Sequence, residues 1–352
     1  MQALSQLSYT PTRESRILLT LLRLVKGGKS SWHAMHYSPA MRIALITPYL
    51  PKVRNGNAHT ALRWRTFLRR AGHRVDMALE WNGAPAQAMI ALHARRSHAA
   101  IARFAQAHPE RPLILVLTGT DLYRDIRFDA DAQHSLKLAH TLVVLQAEGV
   151  AELPEAYHAK TRVIYQSAPS LVPLSRPTRH FSVGVVAHLR DEKDPLRVAV
   201  ALRHLPASSR ILAWHVGGEL QAGLALQAEA LDRLEPRWKW LGSRPHGETR
   251  QRIARSHLLV VPSRMEGGAN VICEAVTAAT PVLASDVPGN VGMLGRDYGG
   301  YFPVGDDQAL AALLHRSETD ADFYARLAAQ CALRAPLFAP AREAAAVLGL
   351  LP

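Results

Sequence analysis

The stretch Leu258–Gly289, LLVVPSRMEGGANVICEAVTAATPVLASDVPG, carries the clearest structural pattern of the chain. In it a short apolar run, a loop with two glycines, an amphipathic segment and a second apolar run follow one another. Short apolar runs on both sides of a helix are typical of buried parallel strands, so the stretch predicts a strand–loop–helix–strand unit. The apolar face of its helix is predicted to consist of Val271, Ile272, Ala275, Val276 and Ala279.

Two carboxylates accompany this unit. Glu266 lies in the loop beside Gly267-Gly268, and Glu274 lies on the helix, away from its apolar face. Glycines let the backbone approach a ligand closely, and the free N–H groups at a helix start suit an anion. The pair could therefore hold a sugar and a ribose together. The alternative is a plain strand–helix–strand unit with two solvated glutamates.

The same alternation of strands and helices extends over most of the chain. Six strand-like segments alternate with helices between Met41 and Ile164, and the pattern restarts at Phe181. This predicts an α/β protein with two Rossmann-like, doubly wound parallel-sheet domains that face a cleft at the carboxyl ends of their strands. The predicted divisions are an extension (1–40), an N-terminal acceptor domain (41–168), a proline-rich linker (169–178) and a C-terminal donor domain with closing helices (179–352).

Composition narrows the class of protein. The chain has 352 residues, two cysteines and a net charge of +13. Residues 41–168 carry 17 basic and 10 acidic side chains, so the first domain is predicted to attract anions. Aromatic residues make up only 6%, and no basic run is interleaved with them, which disfavours nucleic-acid binding. A basic, non-catalytic nucleic-acid binder remains the alternative from another class.

The first 40 residues differ from the rest. Their apolar segment, Ile17–Val25, has nine residues and contains Arg23, whereas a membrane-spanning helix needs about 20 apolar residues. No secretory cleavage pattern follows it. The segment is predicted to be a disordered extension or the product of a start codon upstream of Met41, with a surface amphipathic helix as the alternative. We therefore expect no stable membrane insertion, and the few cysteines predict a cytoplasmic protein.

A second charged motif follows the predicted strand Phe181–Ala187. It places Arg190 and Lys193 three residues apart, before a helix predicted to begin at Pro195. Two cations at the end of a strand, next to a helix start, predict a site for an anion such as a diphosphate. The neighbouring acidic residues, Asp191, Glu192 and Asp194, leave a solvated charged turn as the alternative.

Taken together, these motifs resemble those of family-4-type glycosyltransferases, which have the GT-B fold. The resemblance rests on R-x-x-K at Arg190/Lys193, E-x7-E at Glu266/Glu274, and P-S-x-x-E-G at Pro262–Gly267. It implies that Arg190 and Lys193 bind the donor diphosphate and act in catalysis together with Glu266. It also implies that Glu274 binds the ribose. The further donor-binding residues it implies are Gly267, Gly268, Ala269 and Asn270 at the sugar, and Ser243 and Arg244 near the base.

The first domain departs from the common pattern of that family. Asn55-Gly56-Asn57 stands where a Gly-Gly turn is usual, and the loop Thr118–Asp121 lacks the usual histidine. Without a general base there, an ordinary alcohol acceptor is disfavoured. The segments MRIALITPYLPKVRNGNAHTALRW (41–64) and LTGTDLYRDI (117–126) instead resemble the selenosugar synthases of selenoneine biosynthesis.

This closer resemblance implies a reaction and its partners. The sugar of UDP-GlcNAc or UDP-glucose would be coupled to selenophosphate, forming a C–Se bond and releasing UDP without a cofactor or a metal. The partners are small-molecule substrates rather than nucleic acid, and other enzymes of selenoneine biosynthesis are candidate partners. The predicted acceptor-binding residues are Lys52, Arg54, Asn55, Gly56, Asn57, Thr118 and Asp121. The alternative is an ordinary GT-B transferase with a hydroxyl or lipid-phosphate acceptor.

Two weaker signals lie near the acceptor loop. Arg124 and Arg127 could extend the anion pocket, but a solvated helix face is the favoured interpretation. Asp129-Ala130-Asp131 has the D-x-D form of a metal motif, but its position predicts a helix cap instead. The histidines and cysteines lack the spacing of a structural zinc site.

Overall fold

Two parallel six-stranded sheets with helices on their faces form the protein, as a computed structural model describes it. The structure describes residues 40–49, 56–172 and 174–352. The predicted extension, apart from Ala40, lies outside these residues, and so do Lys52, Arg54 and Asn55 of the predicted acceptor loop. The predicted fold class is confirmed.

The first sheet has the strand order β2-β1-β3-β4-β5-β6. Its domain contains β1 (Arg42–Ile46), α1 (Gly56–Arg70), β2 (Arg74–Ala78), β3 (Ala88–Leu92), α2 (His98–Ala107), β4 (Leu113–Leu117), α3 (Ile126–Phe128), α4 (Ala130–Leu138), β5 (Thr141–Val144) and β6 (Thr161–Val163). Side chains alternate along β1, so that Ile43 and Leu45 enter one core cluster and Ala44 and Ile46 the other. Helices cover both faces of the sheet, which explains its nearly continuous apolar strands.

The second sheet has the order β12-β11-β10-β7-β8-β9. Its strands are β7 (Phe181–Val186), β8 (Ile211–Val216), β9 (Trp238–Trp240), β10 (Leu258–Val261), β11 (Val282–Ser285) and β12 (Tyr301–Phe302). Its helices are α5 (Arg197–Leu202), α6 (Leu224–Leu234), α7 (His246–Arg255), α8 (Asn270–Thr277), α9 (Pro288–Leu294), α10 (Asp307–Thr319), α11 (Ala321–Arg334) and α12 (Pro340–Leu348). None of the helices in the described part of the chain has the length and apolarity that a membrane crossing requires.

Two predicted helix positions are wrong. Ala279 was expected on the apolar face of α8, but the helix ends at Thr277, and Ala279 is exposed with a φ of 56°. The helix expected from Pro195 begins at Arg197 instead, because Asp194 takes a left-handed conformation (φ 42°) after a 3₁₀ turn at Asp191–Lys193. Pro195 and Leu196 form a turn between this 3₁₀ turn and the helix.

The last helix returns to the first domain. Helix α12 packs against α1. Its Glu343 side chain is fully buried, and its Oε2 accepts hydrogen bonds from Arg63 Nε (2.7 Å) and from the backbone N–H and hydroxyl of Ser167 (2.8 and 2.5 Å). Its Oε1 accepts from Trp64 Nε1 at 2.8 Å. One carboxylate thus joins α12, α1 and the segment that leaves the first sheet.

Replacing Glu343 with alanine is expected to lower the free energy of unfolding by about 3–5 kcal/mol, because three buried donors of Trp64 and Ser167 lose their acceptor and the partly buried Arg63 loses its charged partner. Chemical unfolding followed by circular dichroism measures this. The control is Glu229→Ala on the exposed side of α6, which should change stability by less than about 0.5 kcal/mol. Equal effects of the two substitutions would contradict the role of Glu343.

Candidate active site

A cleft of ≈ 610 Å³ lies where the loops at the carboxyl ends of the two sheets meet. This volume suits a small-molecule ligand. All the predicted donor-binding residues line it: Arg190, Lys193, Ser243, Arg244, Glu266, Gly267, Gly268, Ala269, Asn270 and Glu274. Of the predicted acceptor residues that the structure describes, Gly56, Asn57 and Thr118 line the cleft. The cleft therefore brings together residues from both domains.

A buried ion pair forms the centre of the second-domain side. Lys193 Nζ lies 2.5 Å from Glu266 Oε1, and their side chains are 20% and 6% exposed. Ser263 Oγ donates to the same carboxylate oxygen at 2.7 Å. Because a lysine ammonium has three N–H groups, the pair leaves two of them for a further anion. Glu266 Oε2 has no hydrogen-bond partner among the described residues, so it could accept from a ligand hydroxyl.

Backbone contacts hold the two motif loops together. The N–H groups of Arg264 and Met265 donate to the carbonyl of Glu192, at 2.9 and 3.3 Å. Arg190 precedes this 3₁₀ turn with an extended backbone, and its side chain lines the cleft. The R-x-x-K loop after β7 and the glutamate loop after β10 therefore form one surface, although about seventy residues separate them.

Glu274 is engaged by a histidine from the neighbouring helix. His246 Nε2 lies 2.7 Å from Glu274 Oε1, and the Glu274 side chain is 14% exposed. The His246 ring lies 5.4 Å from the ring of His59, which belongs to helix α1 of the first domain. All three side chains line the cleft. A ligand hydroxyl that binds Glu274 would therefore share this carboxylate with His246.

The two glycines after Glu266 are required by close approach of the two domains. A Cβ atom on Gly267 would collide with the carbonyl oxygen of Thr118, and one on Gly268 would lie 2.6 Å from Leu145 Cβ. The Gln166 side-chain amide also donates to the Gly268 carbonyl at 2.6 Å. Gly267 thus lies directly against first-domain backbone, and Gly268 lies against the side chains of Leu145 and Gln166.

Cys273 lies next to Glu274 in sequence but has no place in the cleft. It is fully buried, and its Sγ donates to the Gln166 carbonyl at 3.2 Å. Burial raises the pKa of its thiol well above the ordinary value, so the thiolate is strongly disfavoured. Cys273 is therefore a small packing residue rather than a nucleophile.

Asp121 is not where an acceptor-binding residue would be. Its side chain is completely buried and does not line the cleft. Its Oδ1 accepts from the N–H groups of Thr118 and Gly119, and its Oδ2 accepts from Ala94 N–H, all at 2.9 Å. The carboxylate turns inward because three backbone donors at the ends of β3 and β4 need an acceptor. Its role is to shape the loop.

The cleft also contains first-domain residues that sequence reasoning missed or placed elsewhere. His93 and Arg96 follow β3, and Thr120 and Arg124 follow β4; all four line the cleft. Arg124 was expected on a solvated helix face, whereas the cleft-lining position is observed. Arg127 does lie away from the cleft and pairs with Glu152 at 2.5 Å. The position of His93 at the end of a strand was the available signal.

The D-x-D motif has the capping role that its position predicts. Asp129 caps α4, since its Oδ1 accepts from Ala132 N–H at 2.8 Å. Within residues 40–49, 56–172 and 174–352, no three His, Cys, Asp or Glu side chains come together in a group that could hold a metal ion.

Two Rossmann-like domains with a shared cleft at the carboxyl ends of their strands define the GT-B architecture of glycosyltransferases. Residues 173–332 match the family of group 1 glycosyl transferases. This part of the chain, which contains Arg190, Lys193, Glu266 and Glu274, is thus similar to group 1 glycosyl transferases.

Solved structures share the fold over most of the chain. HepE from Anabaena, crystallised with UDP and glucose, has a TM-score of 0.69 at 18% identity, covering 88% of this chain and 98% of its own. Sucrose-phosphate synthase from Thermosynechococcus elongatus has a TM-score of 0.71 at 17% identity, with coverage of 88% and 98%. A glycosyltransferase from Rickettsia africae has a TM-score of 0.70 at 13% identity, with coverage of 89% and 98%. At these identities the likeness concerns the fold.

Gly267→Ala is expected to destabilise the protein by about 1–3 kcal/mol, because the added methyl group forces the turn away from Thr118. The matched control is Gly247→Ala in helix α7, where a Cβ atom would meet nothing within 4 Å. That substitution should be neutral or stabilising by up to about 1 kcal/mol. Thermal unfolding measures the stability of both variants. If Gly267→Ala is as stable as Gly247→Ala, the close contact between Gly267 and Thr118 is contradicted.

Proposed function

We propose that this chain is a UDP-sugar-dependent glycosyltransferase that couples the sugar of UDP-GlcNAc or UDP-glucose to selenophosphate. The observation that best supports donor binding is the ion pair between Lys193 and Glu266, whose Nζ and Oε1 atoms lie 2.5 Å apart beside the glycine turn. The UDP and glucose bound by the structurally similar HepE support a nucleotide-sugar donor. The resemblance of residues 41–64 and 117–126 to selenosugar synthases supports selenophosphate as the acceptor.

In this proposal the second-domain residues bind the donor. Arg190 and Lys193 bind the diphosphate, and Glu266, together with the turn Gly267–Asn270, binds the sugar hydroxyls. Glu274 binds the ribose, whose hydroxyl would share the carboxylate with His246. Ser243 and Arg244 lie near the base. Carboxylates suit hydroxyl donors and cations suit phosphates, so the charges of this half match the parts of a UDP-sugar.

The proposed reaction is a substitution at the anomeric carbon. The selenium atom of selenophosphate supplies an electron pair to this carbon, and a C–Se bond forms as the bond to the diphosphate oxygen breaks. The displaced electron pair leaves on UDP, where Arg190 and Lys193 stabilise the charge, and so the proposal requires no metal. Water then attacks the phosphorus atom of the product, so that the P–Se bond breaks and phosphate and the selenosugar are released.

An ordinary transfer to a hydroxyl group is the second candidate. The observation that favours it is His93, which lines the cleft, because in the tautomer with the proton on Nδ1 its Nε2 could accept the proton of an alcohol. Selenophosphate is already an anionic, soft nucleophile and needs no such base. A lipid-phosphate acceptor belongs to the same candidate.

Incubating the full chain with each UDP-sugar and either selenophosphate or simple alcohols tests the two candidates. Mass spectrometry should find a product with the selenium isotope pattern, together with one UDP per product formed. The alcohols serve as the alternative acceptors in matched reactions. A glycosylated alcohol without any selenium-containing sugar would overturn the proposed acceptor.

Lys193→Ala should lower kcat by about 10²–10³-fold, because it removes a cation from the leaving diphosphate. Steady-state kinetics at saturating donor measures this. The control is Lys239→Ala, whose side chain is 66% exposed and pairs with Asp232 on the far edge of the sheet. A Lys193→Ala enzyme with the kcat of the control would exclude the proposed role.

A further inference from the structure

On the first-domain side of the cleft, called its first-domain wall below, one residue has an unusual backbone conformation. His93 follows β3 with a φ of 76°, a left-handed conformation that is uncommon for residues other than glycine, and its side chain is only 3% exposed. Its backbone N–H donates to the Val116 carbonyl at 2.9 Å, and its carbonyl accepts from Ser97 N–H at 3.1 Å. The strained residue is thus fixed between β4 and the start of α2.

The hydrogen bonds of the His93 ring orient a threonine hydroxyl. The backbone N–H of Arg96 points at Nδ1 (3.4 Å), so Nδ1 is the acceptor and Nε2 carries the proton. Nε2 then donates to Thr120 Oγ1 at 3.1 Å. The hydroxyl hydrogen of Thr120 has no acceptor among the described residues, and Thr120 lines the cleft. It is therefore a hydroxyl donor ready for a ligand oxygen.

A buried carboxylate holds the neighbouring cation. Asp125 is 5% exposed and accepts from Arg95 Nε at 2.9 Å and from Arg124 Nε at 3.1 Å. Its Oδ2 also lies 4.0 Å from His93 Nε2. Arg124 donates only its Nε–H to Asp125, so the four N–H groups at the end of its side chain can bind another anion. Arg96, whose guanidinium lies 5.0 Å above the ring of Tyr49, lines the same wall.

The charges of the cleft are divided between its two walls. The acidic residues that line it are Glu192, Glu266 and Glu274, all from the second domain. Of the first-domain residues that the structure describes, no Asp or Glu lines the cleft, since Asp121 and Asp125 are turned inward. Such a wall offers hydrogen-bond donors and positive charge, which suit an oxyanion rather than a neutral hydroxyl compound.

We propose that Thr120, Arg124 and Arg96 bind the phosphoryl group of the acceptor, with His93 and Asp125 as positioning residues. This assignment rests on the proposed function and names the acceptor as a tetrahedral phosphoryl anion. Gly119 is next to Thr120, and a Cβ atom added to it would lie 3.5 Å from the N atom of Gly267 in the turn beside Glu266. A phosphoryl group on Thr120 therefore lies close to the sugar-binding turn, with its nucleophilic atom free to approach the sugar.

Kinetics of Thr120→Val and Arg124→Gln, measured separately for each substrate, test the assignment. Each variant should raise the KM for selenophosphate about tenfold, and the inhibition constant of inorganic phosphate should rise in parallel, because a charge-assisted or hydroxyl hydrogen bond to the anion is lost. The KM for the UDP-sugar should stay within about twofold. Thr120→Ser should restore the wild-type values, and Arg127→Gln, a neighbouring arginine that pairs with Glu152, serves as the control.

His93→Asn tests the positioning role, since asparagine tolerates the left-handed backbone but cannot reach Thr120. It should raise the acceptor KM in the wild-type background and have no further effect in the Thr120→Val background. Additive effects of the two substitutions would contradict a role through Thr120. An unchanged acceptor KM in both Thr120→Val and Arg124→Gln would overturn the site, and so would an equal rise of the donor KM.

Calorimetry with inorganic phosphate in the presence of UDP separates this proposal from the proposed function. If the wild-type protein forms no selenium-containing product, the proposed function fails. The phosphoryl site is still supported if the wild-type protein binds phosphate and Thr120→Val weakens that binding. It is contradicted if phosphate does not bind, or if it binds both proteins equally.

Discussion

The contact between the glycine turn of the second domain and the loops after β4 and β5 of the first is the constraint on which the rest of the cleft depends. Gly267 and Gly268 have no room for a Cβ atom, because Thr118 and Leu145 lie directly against them. Glu266 precedes this turn and is paired with Lys193. The position of the ion pair is therefore set by the backbone of the other domain as well as by its own loop.

The same turn is held from a second direction by a buried polar network. Arg63 of helix α1 donates to Glu343, to Gln166 and to Asn270, at 2.7, 2.8 and 3.2 Å. Gln166 donates in turn to the Gly268 carbonyl at 2.6 Å. With all three of its nitrogen atoms engaged, the partly buried Arg63 links the returning helix α12 to the first turn of α8. Preorganised loops of this kind are what an enzyme needs to stabilise charge as it develops in a transition state.

The division of charge across the cleft gives the two domains different chemistry. The second domain offers both carboxylates and cations, which match the hydroxyls and phosphates of a nucleotide sugar. The first domain offers Arg96, Arg124 and an oriented hydroxyl. Its buried carboxylates accept hydrogen bonds from the backbone and from Arg95 and Arg124. In the proposed function, a few strand-end side chains of the first domain would select the acceptor within a fold shared with many transferases.

Apolar periodicity was sufficient to anticipate the two sheets, the restart near Phe181 and the unit Leu258–Gly289, because burial on both faces leaves a repeated apolar pattern in any parallel sheet. The motifs also located Arg190, Lys193, Glu266 and Glu274 in one cleft, since the carboxyl ends of parallel strands converge. What the sequence could not decide was the direction of individual side chains in the first-domain loops. Asp121 turns inward to satisfy three backbone donors, whereas Arg124 and His93 reach the cleft, and such choices follow only from tertiary packing and hydrogen bonding.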